Sequence, residues 1–417
     1  MTSIFSVRIV KSNSIGYLTR LCKISNNYNI TQVAFIKRIA FKENIPKPAP
    51  YPYWKKICNE CTMILDPTTL RYDDNTKLII VDGPPAVGKT KLCEQIAKDF
   101  GFLYMPPPTH DEIFINHYGF DVRDLNPQLP ESCRFYDLKD FLRNPYYYRT
   151  ATIQLGFFNM RFEQYLNALV HILATGQGVV LNRSIFTEYA FMDAMHKAGY
   201  LSDLTVKEFE MMRKNSFKFL LRPHLVIYLD ASPEIILEKI KKRGNVDEIN
   251  SKVFTTKYLT DLENSTKEKC LSWLSSHSHI LIYDWSKEGN NVDVIQDIET
   301  LDFEEDQYKE KLQDWVFVDT DQLINFLEMY QSKKYIFDYM NKKTEPIIAT
   351  DMYLINDERD IQQKVLNTVN SEKYQPGCNP YYDKIPWITK KQSPFFSIYR
   401  RTPHDFVNCD LFKFECL

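Results

Sequence analysis

The run KLIIVDGPPAVGKTKLCEQIA, beginning at Lys77, restricts the fold more than any other stretch of the chain. Leu78 to Val81 is a continuous apolar run, the pattern of a strand buried on both faces. It leads directly into Gly83-Pro84-Pro85-Ala86-Val87-Gly88-Lys89-Thr90, which fits G-x-x-x-x-G-K-[ST]. A helical pattern over about 89–99 follows. Strand, glycine loop and helix in that order wrap backbone N–H groups and a helix N-terminus around a phosphate. On this reading Gly83, Ala86, Val87 and Gly88 form the cradle. Lys89 bridges the β/γ-phosphates, and the Thr90 hydroxyl takes Mg²⁺ when a nucleotide is bound. Pro84 and Pro85 supply no N–H, so the later amides must hold the phosphate.

The pattern after the loop alternates. FLYM (102–105), VVL (179–181), HLVIYLD (224–230) and HILIYDW (279–285) read as further strands. Between them lie an irregular stretch over 109–148 and a long helix that stops at Gly176. Helices are also expected at about 185–198, 205–220 and 255–275. In SPEIILEKIKKRG, Ser232 stands at the N-cap, Pro233 at the first helical position and Gly244 at the stop. Apolar strands alternating with helices predict an α/β fold, a five-stranded parallel sheet with helices on both faces. The alternation ends near residue 300. A helical, aromatic-rich stretch over 305–342 and a proline- and aromatic-rich tail from Ser371 extend it.

Charge is unevenly placed. Residues 1–42 carry Arg8, Lys11, Arg20, Lys23, Lys37, Arg38 and Lys42 and no acid, the form of a mitochondrial transit peptide. A basic arm for nucleic acid or anionic lipid is the other reading. Without those seven cations the formal net charge falls from −2 to about −9, which disfavours a nucleic-acid partner. Four prolines in 43–57 predict an extended leader lying against a surface. No run of apolar residues is long enough to span a membrane. The nine cysteines are scattered. Cys58 and Cys61 form a lone CxxC, read as reduced thiols rather than a zinc or redox site. His110, His117 and His171 lack metal-ligand spacing.

With the phosphate loop, three stretches carry a family resemblance: Gln154 in TATIQLGFFNMRFEQY, Asn182-Arg183-Ser184 in VVLNRSIFTEYAF, and LVIYLDASPEIILEKIKKRG. Over about 77–300 the chain resembles the deoxynucleoside kinases. The resemblance implies that Gln154 reads the base and that Arg183 binds an anion. On the residues alone, Gln154 equally satisfies a polar seam in a buried helix, and the alternative to a phosphate role for Arg183 is pairing with a neighbouring acid such as Glu188. The extensions resemble the branch of that family found as an accessory subunit of mitochondrial respiratory complex I, NADH:ubiquinone oxidoreductase. This implies a peripheral protein on the matrix side of the inner membrane. Its expected partners are other complex I subunits, membrane-arm subunits included, and it is expected to hold no redox cofactor. The implied organisation is a transit peptide at 1–42, a leader at 43–76, a kinase-like domain at 77–300 and an extension at 301–417.

The family also implies a glutamate just after the second strand as general base. Here that region reads Tyr104-Met105-Pro106-Pro107-Pro108-Thr109, with no carboxylate until Asp111 and Glu112. The family's metal-holding Glu of Glu-Arg-Ser is Asn182, and the lid after Arg243 lacks arginines. Phosphoryl transfer rests on positioning and charge, so these losses predict a grip on ATP, ADP or a deoxynucleotide without turnover. The competing expectations are an active kinase using Asp111 or Glu112 as base, and a nucleotide sensor within the same complex.

Overall fold

The computed structural model describes residues 36–41, 47–63, 66–115, 120–287, 289–305, 310–342, 349–354 and 356–370. The targeting segment up to residue 35, His117 and the aromatic tail from Ser371 lie outside the described residues.

Five strands form one sheet: β1 (Leu78–Asp82), β2 (Leu103–Met105), β3 (Val179–Asn182), β4 (Leu225–Asp230) and β5 (His279–Asp284). Their order is β2-β3-β1-β4-β5, and every pairing is parallel. Register pairs Leu78 with Val179 on one side of β1 and Ile79 with Leu225 on the other. The whole of β1 is buried, as its unbroken apolar run requires. The predicted parallel α/β sheet is therefore the observed one.

Helices of nine residues or more, among the described residues, are α1 (Lys89–Phe100), α2 (Thr150–Thr175), α3 (Glu188–Lys197), α4 (Asp203–Phe217), α5 (Pro233–Arg243), α6 (Thr256–Ser265), α7 (Asn291–Glu299), α8 (Thr320–Ser332) and α9 (Asn356–Asn370). α1 buries Leu92, Cys93, Ile96 and Phe100, one apolar stripe facing the sheet. α2 is buried on most of its surface, which explains its weak amphipathicity in the sequence. At its end Gly176 adopts φ 71°, and a Cβ there would meet the Arg71 carbonyl oxygen at 2.5 Å.

Some expectations needed revision. Ser232 is the N-cap of α5 by backbone geometry, but its side chain makes no capping hydrogen bond. The helix expected over 255–275 is interrupted by a π-helical segment at Thr266–Leu271. In that segment Lys267 bonds Asp230 at 2.8 Å, at the carboxyl end of β4, and Glu263 at 2.6 Å. The leader is not extended throughout. It turns back at Pro52, whose carbonyl accepts from the amides of Lys55 and Lys56. Tyr53 and Lys56 offer their carbonyls to Gln331 of α8.

Residues 36–41, placed in the transit peptide by the sequence, are built into the fold. Ile36 is a core residue, Lys37 exchanges two backbone hydrogen bonds with the Asn75 side chain, and Arg38 pairs with Glu299 at 2.7 Å. Residues 312–342 and 349–352 share the core of the sheet through Leu312, Trp315, Leu327, Tyr330, Ile336 and Met352. A smaller cluster, separate from that core, joins Phe114, Val122, Leu125, Leu129 and Phe135 to Leu366 of α9.

Candidate functional site

The loops after β1, β3 and β4 leave the same carboxyl edge of the sheet, where parallel α/β folds bind ligands. The loop after β1 is shaped by positive φ angles: 146° at Gly83, 60° at Ala86 and 112° at Gly88. Left-handed turns of this kind bend a backbone into an anion-binding concavity. Gly83 is dictated sterically, since a Cβ would stand 2.5 Å from the Leu229 carbonyl oxygen of β4. Ala86 holds a left-handed conformation without glycine's freedom, a strain of about 1 kcal/mol or more that persists only where the surroundings impose it.

Two cations meet at this loop. Lys89 Nζ donates to the carbonyls of Gly83 at 3.0 Å and Pro84 at 2.7 Å. Arg183, at φ 71°, donates from Nη2 to the same Gly83 carbonyl at 3.2 Å. Its guanidinium lies 4.3 Å over the Phe191 ring, and its buried Nε has no hydrogen-bond partner. Burial, then the charge of Arg183, pushes the Lys89 ammonium well below its ordinary value, while Asp82 opposes the shift. Asp82 is itself buried and satisfied. It accepts from the Gly83 amide at 2.8 Å and from the Thr187 hydroxyl at 2.7 Å. Lys239 of α5 reaches the loop from the far side, bonding the Trp285 carbonyl at 2.5 Å and the Val87 carbonyl at 3.4 Å.

Thr90 is held by Asn182, whose Nδ2 donates to the threonine hydroxyl at 3.2 Å. Tyr104, the middle residue of β2, sits beside both. Burial raises its phenol, and hydrogen bonds to Asn182 and Thr90 oppose that shift. An amide, that of Asn182, thus stands where the resemblance calls for a metal-holding carboxylate.

The base end is a second network. Gln154 is buried, and its Nε2 donates to the Glu188 backbone oxygen at 3.1 Å and to its carboxylate at 3.2 Å. Glu188 pairs with buried Arg161 at 2.5 Å. The expected pairing of Arg183 with Glu188 is therefore corrected: Arg161, two helical turns after Gln154 on the same face of α2, holds that carboxylate. Gln154, Phe158, Glu188, Met192 and Phe209 surround a cavity of about 10 Å³, room for no more than one water. A small-molecule pocket needs about 300 Å³.

The alternative bases are spent elsewhere. Asp111 pairs with Arg123 at 2.7 Å, alongside Asp121 and Asp137. Glu112 accepts from the Thr109 amide at 2.8 Å. In the lid, Arg243 pairs with the lid's own Glu248 at 3.1 Å, and Asp247 pairs with Arg143 at 2.9 Å. His110 packs between Phe114 and Phe157, and burial lowers its imidazole to about 4. Sequence reasoning missed Arg161 and Lys239. The seven-residue spacing from Gln154 to Arg161 was visible, but nothing marked Lys239 among the lysines of α5.

This constellation, a phosphate loop facing an arginine after β3 and a glutamine on the long central helix, defines a P-loop kinase fold. The chain belongs to the deoxynucleoside kinase family, whose sequence model matches residues 79–316. Within that family it is 30% identical over 331 residues to mouse (Mus musculus) "NADH dehydrogenase [ubiquinone] 1 alpha subcomplex subunit 10, mitochondrial", covering 78% of this chain and 87% of that one. The Bos taurus protein of the same name is 28% identical over 77% of this chain and 89% of its own length. "Deoxyguanosine kinase" of Dictyostelium discoideum is 26% identical over 57% of this chain and 73% of that one.

Proposed function

We propose that this chain is an accessory, non-catalytic subunit of mitochondrial respiratory complex I. It lies peripherally on the matrix side of the inner membrane and keeps a nucleotide-binding fold that serves assembly or stability. The relatives named as complex I subunits, aligned over most of their length, support the assignment to the complex. The absence of a helix long and apolar enough to cross a membrane, among the described residues, fits a peripheral place.

One observation carries the non-catalytic part. Three prolines, Pro106, Pro107 and Pro108, follow the second strand, and both nearby carboxylates, Asp111 and Glu112, are bound to other groups. A general base must reach the proton it removes, and each of these carboxylates is held by another group instead. Gly83, Ala86, Val87, Gly88 and Lys89 hold the phosphates of ATP, ADP or a deoxynucleotide in this proposal, with Arg183 as a second cation. Thr90 closes the loop, and Gln154 belongs to the base end. Any targeting leader ends before Ile36, because residues 36–41 are part of the fold. The kinase-like unit from about residue 77 and the extension beyond 300 share one core. We assign the tail from Ser371, rich in Tyr, Phe, Trp and Arg, to contacts with neighbouring subunits.

The second reading, an active deoxynucleoside kinase, is favoured by the complete G-x-x-x-x-G-K-T and by relatives named as kinases. The full chain, assayed with labelled ATP, Mg²⁺ and the four deoxynucleosides, is expected to give no product above background. In native gels of mitochondrial membranes it is expected to migrate with the intact complex. Turnover of order 1 s⁻¹, with the chain absent from that band, establishes the kinase instead.

A further inference from the structure

We infer that the phosphate loop takes its nucleotide without a divalent cation, and that Asn182 is the residue that sets this preference. The inference rests on the nucleotide-binding reading above and concerns the metal that the family resemblance places on Thr90.

Mg²⁺ is a hard ion that takes near-octahedral oxygen ligands and is held at nucleotide sites by one or two carboxylates plus phosphates. The donor set around Thr90 does not match. The threonine hydroxyl accepts a hydrogen bond from the Asn182 amide at 3.2 Å, so a δ-positive N–H group points at the place the metal needs. Tyr104, the other neighbour of that hydroxyl, brings a neutral phenol whose ionisation burial opposes. Asp82, the carboxylate at the end of β1, has its two oxygens bound to the Gly83 amide and the Thr187 hydroxyl, and Arg183 Nε stands 3.9 Å away. Glu188 is engaged by Arg161 and Gln154. Asp82 and Glu188 thus already have their partners.

Two cations stand where the metal's charge would be needed. Lys89 and Arg183 converge on the Gly83 carbonyl, which both must leave to meet phosphate oxygens. The Nε of Arg183 is buried without a hydrogen bond, its nearest carboxylate being Asp82 at 3.9 Å, so it keeps a donor to offer a phosphate oxygen. A divalent cation beside these two charges meets repulsion, whereas a fully ionised triphosphate meets attraction. Glu94, exposed and one turn beyond Thr90, is the carboxylate of α1 next along the helix and serves as the control position.

The test is calorimetric titration of the full chain with ATP, in excess Mg²⁺ and in excess EDTA. The expected result is binding in EDTA at least as tight as in Mg²⁺. Asn182→Asp, which puts a carboxylate against the Thr90 hydroxyl, should reverse the order and make ATP about tenfold tighter with Mg²⁺ than without. Glu94→Gln, a surface change that leaves the fold alone, should change neither wild-type value. A wild-type affinity about tenfold weaker in EDTA overturns the inference, and loss of that difference in Glu94→Gln identifies the metal's true ligand. No ATP binding in either buffer by the folded protein removes the nucleotide reading itself, and this inference with it.

Discussion

At the phosphate end of the site, Gly83, Ala86 and Gly88 stand at positive φ, and two cations share one backbone carbonyl. At the base end, Gln154, Arg161 and Glu188 close on one another around a cavity of about 10 Å³. The first region is specified by backbone shape, and its charges are held only by groups they can leave. The second is specified by a buried ion pair and an amide packed around a cavity too small for a ligand. The proposed grip without turnover would follow from that difference. Backbone geometry is needed for the fold as well as for phosphate, whereas an open acceptor pocket is needed only for chemistry.

Substitutions should separate the two ends. Gly83→Ala strikes backbone shape. Its Cβ would stand 2.5 Å from the Leu229 carbonyl at φ 146°, so the loop and β4 must part. A loss of about 4–5 kcal/mol is expected, read as a collapse of the thermal midpoint, together with loss of ATP binding. A variant with unchanged stability would mean the loop is not fixed by its glycine. Glu188→Ala strikes the side-chain network. It leaves Arg161 buried and unpaired, at a cost of about 3–5 kcal/mol. Replacing both partners, Arg161→Met with Glu188→Leu, should recover most of that stability, because a buried pair can be exchanged for apolar groups of similar volume. If the double variant is as unstable as the single one, the network does more than satisfy itself.

Lys89→Ala has the opposite profile. The lysine bonds only loop carbonyls in the free protein, and its charge is already disfavoured by burial. Stability should change by less than about 1 kcal/mol, while ATP affinity falls about a hundredfold, the loss of a charge-assisted contact to phosphate. Equal ATP binding by the variant and the parent chain would remove the phosphate assignment.

The two ends also differ in how far the sequence discloses them. The phosphate loop is legible because its chemistry needs contiguous residues: strand, glycines, lysine and threonine lie within one short run. The five strands are legible because a parallel sheet buried on both faces needs unbroken apolar runs. The base end is not contiguous. Glu188 had Arg183 five residues before it and Arg161 far away, and only the packing of α2 against α3 shows which arginine it meets. The π-helical segment at Thr266–Leu271 was invisible for a similar reason, since its residues are ordinary helix formers and its geometry carries Lys267 to Asp230 on a different strand. Residues 36–41 look like a basic leader by composition, and only Asn75 and Glu299, distant in sequence, reveal them as part of the fold.

The smallest effect expected is the dependence of ATP binding on pH, and it tests the state of Lys89 directly. In the free protein burial and Arg183 hold the Lys89 ammonium well below its ordinary value of 10.5, with Asp82 opposing. Triphosphate oxygens favour the charged form, so the bound protein keeps the proton to higher pH than the free one. Between those two values binding takes up at most one proton, and affinity must fall as pH rises, by no more than about tenfold per pH unit. The folding equilibrium of the free protein carries the opposite sign. The unfolded lysine keeps its proton up to about 10.5 while the folded one has lost it, so unfolding takes up protons and the lysine's contribution to stability rises with pH across that window. Calorimetry in two buffers of different ionisation enthalpy measures the proton taken up on ATP binding, and thermal melts of the free chain give the second slope. Lys89→Ala should remove both contributions at once. If the variant binds ATP with the same pH slope as the parent chain, the titrating group is not Lys89, and the cation that meets the phosphates has to be sought at Arg183 or Lys239.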